Sequence, residues 1–139
     1  MSEPLCKAIL LCQYYSQDRV SSMFTLAGVY CRILTKKVPK EQPNIIVFVK
    51  ISDMNRGDNL VQVAILDPDG KEVAAEDDPY GRLEVPSSLT EYSTVVIFGP
   101  VKLEKFGRYM VEARVNGATV GITKLAVEQL PEEEPLGDA

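Results

Sequence analysis

The side chains that most often carry out chemistry in proteins are sparse in this sequence. The 139 residues include no histidine. The chain therefore has no Ser-His-Asp or Cys-His nucleophile system, no imidazole to shuttle protons and no histidine metal ligand. Gly57, Gly70 and Gly81 stand alone, without the spacing of a phosphate-binding loop. We therefore expect a protein that is not an enzyme.

Three cysteines, Cys6, Cys12 and Cys31, are the soft nucleophiles of the chain. A closed zinc site needs four thiolate or imidazole ligands, so three cysteines without histidine predict neither a metal site nor a cofactor. In a reducing compartment each cysteine is expected to be a small buried side chain. The alternative is a disulfide that joins Cys31 to either Cys6 or Cys12 on a neighbouring strand.

Acidic residues cluster in DPDGKEVAAEDD, residues 67–78. This window has acids at positions 1, 3 and 12, as a calcium loop does. However, Lys71 takes the place of the fifth-position ligand, and the glycine falls at position four rather than six. A reverse turn explains the same residues without an ion, and we therefore predict a turn.

The end of this window offers carboxylates for acid–base catalysis. Glu76, Asp77 and Asp78 are consecutive, and close like charges can raise one pKa into a useful range if they are buried. The following residues, Pro79-Tyr80-Gly81, are typical of an exposed loop. We therefore expect these acids to be solvated.

Tyrosines in or beside loops are the remaining candidates for a binding site. They are Tyr14, Tyr15, Tyr80 and Tyr92. An amphipathic ring can stack on a sugar or anchor a protein partner. The same rings could instead cover the ends of a sheet sandwich and hydrogen-bond to loop backbone.

The elements that position these residues are strands. In RYMVEARVNGATVGITKLAVEQL, residues 108–130, apolar and polar side chains alternate with a period of two up to Val115. Asn116-Gly117 tolerates the positive φ values of a type I′ turn, so the chain is expected to return as a second strand. Gly121 inside that strand predicts a bulge or a close backbone approach.

A second hairpin is predicted around the acidic window. Residues 60–66 are rich in strand-forming side chains, and Asp67-Pro68-Asp69-Gly70 fits a type I turn. The return strand is expected over residues 72–76, with a bulge near Gly70.

Further apolar runs have strand length: residues 5–13, 22–34, 44–52 and 94–103. Residues 77–92 have loop chemistry, with at most one helical turn over residues 87–93. We therefore predict an all-β antiparallel sandwich of about seven to nine strands, with at most one short helix.

Three segments together resemble a small bacterial family of unknown function. They are KAILLCQYYSQDRVSSMFTLAGVYCRI, VQVAILDPDGKEV and FGRYMVEARVNGATVGITKLAVEQL. The resemblance spans most of residues 7–130, and its motifs are strand and turn residues. It implies an immunoglobulin-like sandwich and no activity that could be transferred. Family members carry an acid after the cysteine, where this chain has Gln13.

The charge distribution indicates which partners to expect and where the domain ends. The net charge is −5, and five acids follow Lys124, so the rest of the chain has 15 acidic and 15 basic residues. This balance does not predict a nucleic-acid partner. We expect one sandwich domain over residues 1–130 and an acidic, disordered tail over residues 131–139. Without a signal peptide or an apolar run of about 18 residues, we expect a cytoplasmic protein with no membrane partner.

The function predicted from these observations is binding. A non-catalytic sandwich exposes sheet edges to a protein partner or to a second copy. Strands near Ile45 and Val95 are apolar on both faces and could bury a second face in a homodimer. The alternative is a small-ligand or carbohydrate-binding module that uses the loop tyrosines, and a hydrolase-like enzyme is third.

Overall fold

The computed structural model describes residues 3–87 and 90–131, and in this part of the chain every regular element is a β-strand. The strands are β1 (Leu5–Cys12), β2 (Tyr14–Gln17), β3 (Phe24–Ala27), β4 (Arg32–Thr35), β5 (Lys40–Gln42), β6 (Ile45–Ser52), β7 (Gly57–Leu66), β8 (Glu72–Val85), β9 (Tyr92–Phe98), β10 (Val101–Leu103), β11 (Gly107–Val115) and β12 (Ala118–Gln129). The all-β prediction is therefore confirmed.

Two sheets carry most of these strands. The smaller sheet has the order β1-β6-β9, and both of its pairings are antiparallel. The larger sheet has the order β4-β12-β11-β7-β8, and it is antiparallel except where β4 runs parallel to β12. Two short ladders, β2 with β3 and β5 with β10, complete the pairings.

One hydrophobic core lies between the two sheets. Strand β6 alternates, with Ile45, Val47, Val49 and Ile51 buried, and β11 buries Tyr109, Val111, Ala113 and Val115 in the same way. All eight belong to a single cluster. The alternation predicted for residues 108–115 is thus confirmed, because successive side chains of a strand point to opposite faces.

The predicted turns are also confirmed. Asn116 and Gly117 have φ values of 53° and 85°, as a type I′ turn requires. In the acidic window, the Gly70 amide donates to the Asp67 carbonyl at 2.9 Å, which closes the turn. A register shift between Ile65 and Leu66 follows it, as expected for a bulge near Gly70.

Gly121 meets both conditions predicted for it. The β11–β12 register shifts beside it, between Ala113 and Arg114. A Cβ at Gly121 would lie 2.5 Å from Cys6 Cβ and 2.6 Å from Cys6 Sγ, so the side chain of β1 rests directly on the backbone of β12. The glycine therefore lets one edge of the small sheet approach the large sheet.

The prediction of seven to nine strands is wrong, because the described residues form twelve. Residues 22–34 and 94–103 each hold two short strands rather than one, since Gly28 and the Gly99-Pro100 pair interrupt them. Strands β2 and β5 were not predicted. The loop predicted over residues 77–92 is wrong for residues 77–85, which belong to β8.

Two expectations fall wholly or partly outside the described residues. The helical turn proposed over residues 87–93 includes residues 88 and 89, which lie outside the described residues, and its last two residues begin β9. The acidic tail lies outside the described residues beyond Pro131. Within the described chain, no helix is long and apolar enough to cross a membrane.

Substituting Gly117 by Val tests the turn that sets the β11–β12 register. A β-branched residue at φ 85° is strained, so we expect the free energy of unfolding to fall by about 1–3 kcal/mol. Chemical denaturation monitored by circular dichroism measures the loss. The matched control is Gly99→Val, because a Cβ at Gly99 meets no atom within 4 Å and needs no positive φ. Equal stability of the two variants would contradict the turn assignment.

Candidate functional site

The outer face of the small sheet carries apolar side chains that do not belong to the core. Across the three strands, Leu10 lies opposite Phe48 and Phe48 opposite Val95, while Ile46 lies opposite Ile97. None of these five side chains belongs to the core cluster between the sheets, although Val95 is itself buried. The prediction that the strands near Ile45 and Val95 are apolar on both faces is therefore confirmed.

A hairpin formed by β2 and β3 covers part of this face. The Phe24 ring packs edge-on against Phe48, with ring centroids 5.4 Å apart, and the Tyr15 ring centroid lies 6.5 Å from that of Phe24. Leu10 and Ile97 remain exposed beside the hairpin. We call this combined surface, the outer side of β1-β6-β9 with the β2–β3 hairpin, the hairpin face.

The base of the hairpin is fixed to β1 through Gln13. The backbone amide of Gln13 donates to the backbone carbonyls of Ala27 and Gly28, both at 3.1 Å. Gly28 has a φ of 67°, and a Cβ there would lie 2.5 Å from Gln13 Oε1. Gln13 therefore packs against a glycine of the returning strand.

The tip of the hairpin is organised by Asp18. Its Oδ2 accepts hydrogen bonds from the Ser21 amide at 2.7 Å, the Ser21 hydroxyl at 2.8 Å and the Val20 amide at 3.2 Å. These bonds lower the pKa of Asp18, the Ser21 amide contributing most. The ordered tip presents two apolar side chains to solvent, Val20, which is 95% exposed, and Met23.

The structure separates the four candidate tyrosines into two pairs. Tyr14 and Tyr15 are adjacent on β2, whereas Tyr80 lies in β8 and Tyr92 begins β9. Strand β6 pairs with elements next to both pairs of tyrosines. Its Ile46 lies opposite Cys12, two residues before Tyr14, and its Ile51 lies opposite Tyr92. The five-residue separation of Ile46 and Ile51 corresponds to about 17 Å along an extended strand. The four rings therefore do not form one site.

Tyr14 lines a pocket of about 520 Å³ at the end of the small sheet. The residues around it come from three segments of the chain, within residues 12–14, 30–34 and 40–46. They are Cys12, Gln13, Tyr14, Tyr30, Arg32, Ile33, Leu34, Lys40, Gln42, Pro43, Asn44 and Ile46. The sequence analysis identified Tyr14 but not this pocket, because its walls are far apart along the chain.

The second pair of tyrosines flanks a buried carboxylate that the sequence analysis placed in solvent. Asp78 is only 2% exposed. Its Oδ2 accepts from the Tyr92 hydroxyl at 2.5 Å, and its Oδ1 accepts from the Thr94 hydroxyl at 3.0 Å and the Tyr80 amide at 3.2 Å. The expectation that Asp78 is solvated is therefore wrong, although Glu76 and Asp77 are exposed.

A local irregularity of β8 explains the burial of Asp78. Leu60 pairs with Arg82 and Gln62 with Asp77, so residues 78–81 bulge out opposite the single residue Val61. Gly81, at φ 73°, supplies the positive φ in this bulge. The bulge turns the carboxylate toward β9, where hydroxyl donors from Tyr92 and Thr94 compensate for the loss of water.

Hydrogen bonds and burial set the ionisation of Tyr92. Burial raises the pKa of Tyr92, and the bond to the Asp78 carboxylate raises it further. The hydroxyl therefore stays protonated as a donor to Asp78. This arrangement joins an edge strand of the large sheet to an edge strand of the small sheet, and we call it the Asp78 seam.

The acidic window holds a turn rather than a calcium loop. Asp67 Oδ1 accepts the amides of Asp69 and Lys71, both at 2.9 Å, and these bonds lower its pKa, the Lys71 amide contributing most. Lys105 forms ion pairs with Asp69 and Asp67. In the described chain, no group of three or more acidic, cysteine or histidine side chains could hold a metal ion.

The three cysteines are unpaired, so the alternative disulfide is not formed. Cys12 is buried and Cys6 half-buried, whereas Cys31 is exposed. Burial raises the pKa of both Cys6 and Cys12. The expectation of small buried side chains is therefore correct for Cys12, partly correct for Cys6 and wrong for Cys31.

Comparison with known proteins gives a family and a structural likeness. The model of a family described as "Family of unknown function (DUF6941)" matches residues 7–128. This match confirms the resemblance to a family of unknown function. A search of curated proteins finds no match.

Among solved structures, the chain is similar to Pseudomonas fluorescens alkylpurine DNA glycosylase AlkC bound to DNA containing an abasic site analog. The TM-score is 0.53 and the sequence identity 12%, over 91% of this chain and 31% of that chain. At this identity the likeness concerns the fold alone. This chain also matches only 31% of the length of that enzyme.

Substituting Tyr92 by Phe tests the Asp78 seam. The variant leaves a buried carboxylate without one donor, so we expect the free energy of unfolding at pH 7 to fall by about 1–3 kcal/mol. Denaturant titration measures the loss. Tyr14→Phe is the control, because the Tyr14 hydroxyl has no hydrogen-bond partner among the described residues.

The difference in stability between the wild type and Tyr92→Phe should also depend on pH. Because folding raises the pKa of Tyr92 above its ordinary value of 10.0, the unfolded chain loses this proton first as pH rises. The stability advantage of the wild type over Tyr92→Phe should be complete below pH 10 and should shrink above it. An advantage that grows between pH 9 and 11 would contradict this assignment.

Proposed function

Because the chain belongs to the DUF6941 family, whose function is unknown, we propose its role from its own surface: a non-catalytic module that binds a second copy of itself or a protein partner through the hairpin face. The observation that carries this proposal is the apolar outer side of the small sheet. The water-facing side of a sheet normally carries polar residues, whereas here it carries Leu10 and Ile97, which are exposed, and Ile46 and Phe48, which are half-buried. Apolar side chains exposed on a sheet face are typical of interaction sites.

The ordered hairpin supports association through a face. Asp18 fixes the tip before any partner arrives, so little conformational entropy is lost when Val20 and Met23 are buried. Both edges of the small sheet also contact the large sheet. Strand β1 rests on β12 at Gly121, and β9 is joined to β8 at the Asp78 seam.

The fold that presents this face is, in our proposal, an immunoglobulin-like sandwich in a bacterial, cytoplasmic protein. Two sheets that share one hydrophobic cluster support the sandwich. The parallel pairing of the edge strand β4 with β12 is the departure from a wholly antiparallel sandwich. The bacterial and cytoplasmic assignments rest on the sequence resemblance and on the sequence features given above.

A second candidate function is small-ligand binding at the pocket beside Tyr14. The favouring observation is its volume of about 520 Å³, which lies within the range of roughly 300–1,000 Å³ that is typical of small-molecule sites. This candidate retains Tyr14 from the original set of tyrosines. Tyr92 fits a ligand contact less well, because its hydroxyl is already bonded to Asp78.

Sedimentation velocity of the Ile97→Lys variant tests the association. A lysine on the hairpin face should abolish dimerisation, because burying an unpaired ammonium group opposes the gain from apolar burial. The wild type is expected to form dimers at concentrations of about 100 µM, in the range of weak specific association.

Ile122→Lys is the matched control. Ile122 is 49% exposed and Ile97 46%, and both lie within strands, but Ile122 lies on β12 in the large sheet. The control should dimerise as the wild type does. If the wild type is monomeric throughout, self-association is excluded, and a tagged chain should then retain a cellular protein that Ile97→Lys fails to retain. If Ile97→Lys retains both dimerisation and partner binding, the proposal is contradicted.

We further propose that nucleic acid and membranes are not partners, although the solved neighbour was bound to DNA. Non-specific DNA binding depends on basic side chains and typically has Kd values of 10⁻⁴ to 10⁻⁶ M, whereas this chain has a net charge of −5. A labelled duplex containing an abasic site analogue should therefore show no anisotropy change with about 100 µM protein. Binding that weakens as salt is added would contradict this proposal.

A further inference from the structure

The pocket beside Tyr14 has an unbalanced charge. Two of its lining residues, Arg32 and Lys40, are cationic, and none is acidic. Lys40 is half-buried and forms no ion pair within residues 3–87 and 90–131. Arg32 has one partner, Glu128, on the outer side of β12 at 3.4 Å, and both side chains of that pair are about half exposed. The pair is long and solvated, so it neutralises Arg32 weakly.

Neutral hydrogen-bonding groups complete the lining. The hydroxyls of Tyr14 and Tyr30 and the side-chain amides of Gln13 and Asn44 have no hydrogen-bond partner among the described residues. Tyr30 is half-buried, and burial raises its pKa, so its hydroxyl remains a neutral donor. The pocket thus offers two positive charges and four polar groups that are free to bind a ligand.

These groups fit a particular class of ligand. A guanidinium group binds a carboxylate through parallel N–H donors, and a lysine ammonium group adds charge without geometric demand. Amides and tyrosine hydroxyls both donate and accept, as ring hydroxyls of a sugar require. Phosphate sites, in contrast, usually use backbone amides at a helix N-terminus or in a glycine-rich nest, and no lining residue belongs to a helix.

We propose that the pocket binds a carboxylate-bearing, polyhydroxylated small molecule such as a uronic acid, with Arg32 and Lys40 holding the carboxylate. The tyrosine and amide groups bind the hydroxyls. This inference rests on the second candidate function and names its ligand class. It is independent of association through the hairpin face.

Isothermal titration calorimetry of the full chain tests the inference, with glucuronate, glucose and inorganic phosphate as the three probes at low ionic strength and pH 7. We expect glucuronate to bind and the other two not to bind. Arg32→Gln and Lys40→Gln should each weaken glucuronate binding at least tenfold, which corresponds to about 1.4 kcal/mol. Added salt should weaken it as well.

Two controls separate the pocket from general surface charge. Lys71→Gln removes the same charge from an exposed turn that does not line the pocket and should leave the affinity unchanged. Tyr14→Ala should weaken binding, whereas Tyr80→Ala, in the β8 bulge, should not. Thermal melting of each variant verifies that it is folded.

Each result decides between defined conclusions. Glucuronate binding that responds to Arg32 and Lys40 but not to Lys71 supports the inference. Glucose binding of equal strength, lost in Tyr14→Ala, retains the ligand-binding candidate and overturns the carboxylate assignment. Phosphate binding without glucuronate binding also overturns it. Absence of binding by all three probes at 10 mM, or affinity unaffected by both Arg32 and Lys40 variants, overturns the inference as well; only the absence of all binding counts against the candidate function itself.

Discussion

The closure of the core depends on how the edges of the small sheet meet the large sheet. On one side Cys6 rests on the bare backbone of Gly121, a contact that a Cβ would prevent. On the other side a buried carboxylate, Asp78, accepts hydroxyl donors from β9 across the gap. The contact between Cys6 and Gly121 forms because glycine has no side chain to prevent it. The Asp78 seam is held by hydrogen bonds in a low-dielectric environment, where a polar group without a partner is costly. The apolar outer side of the small sheet faces away from both seams, and it is the surface through which we propose that the chain binds.

Strand β2 serves two surfaces at once because its side chains alternate. Tyr15 points toward Phe24 and the hairpin face, while its neighbour Tyr14 lines the polar pocket. A partner seated on the hairpin would therefore hold the strand that forms one wall of the pocket. The two candidate functions are separate in chemistry but are connected through this one strand.

Local patterns predicted the strands and turns well. Asn116-Gly117 and Asp67-Pro68-Asp69-Gly70 encode their turns within four residues, and the alternation of β11 reports which side chains are buried. The sequence could not reveal the fate of Asp78, because the same Asp-Pro-Tyr-Gly letters suit an exposed loop. Its burial depends on a bulge that turns toward donors 14 and 16 residues further along the chain. The pocket was missed for the same reason, since its lining joins residues from three separate segments of the chain.

Because Cys6 packs against Gly121, its reactivity can report on transient local opening between the two sheets. A thiol that is half-buried and has a raised pKa reacts slowly while the sheets are in contact. Alkylation of Cys6 would then proceed through transient separation of β1 from β12, and its rate would follow the local opening equilibrium. Cys31, already exposed, supplies an unprotected reference rate within the same chain.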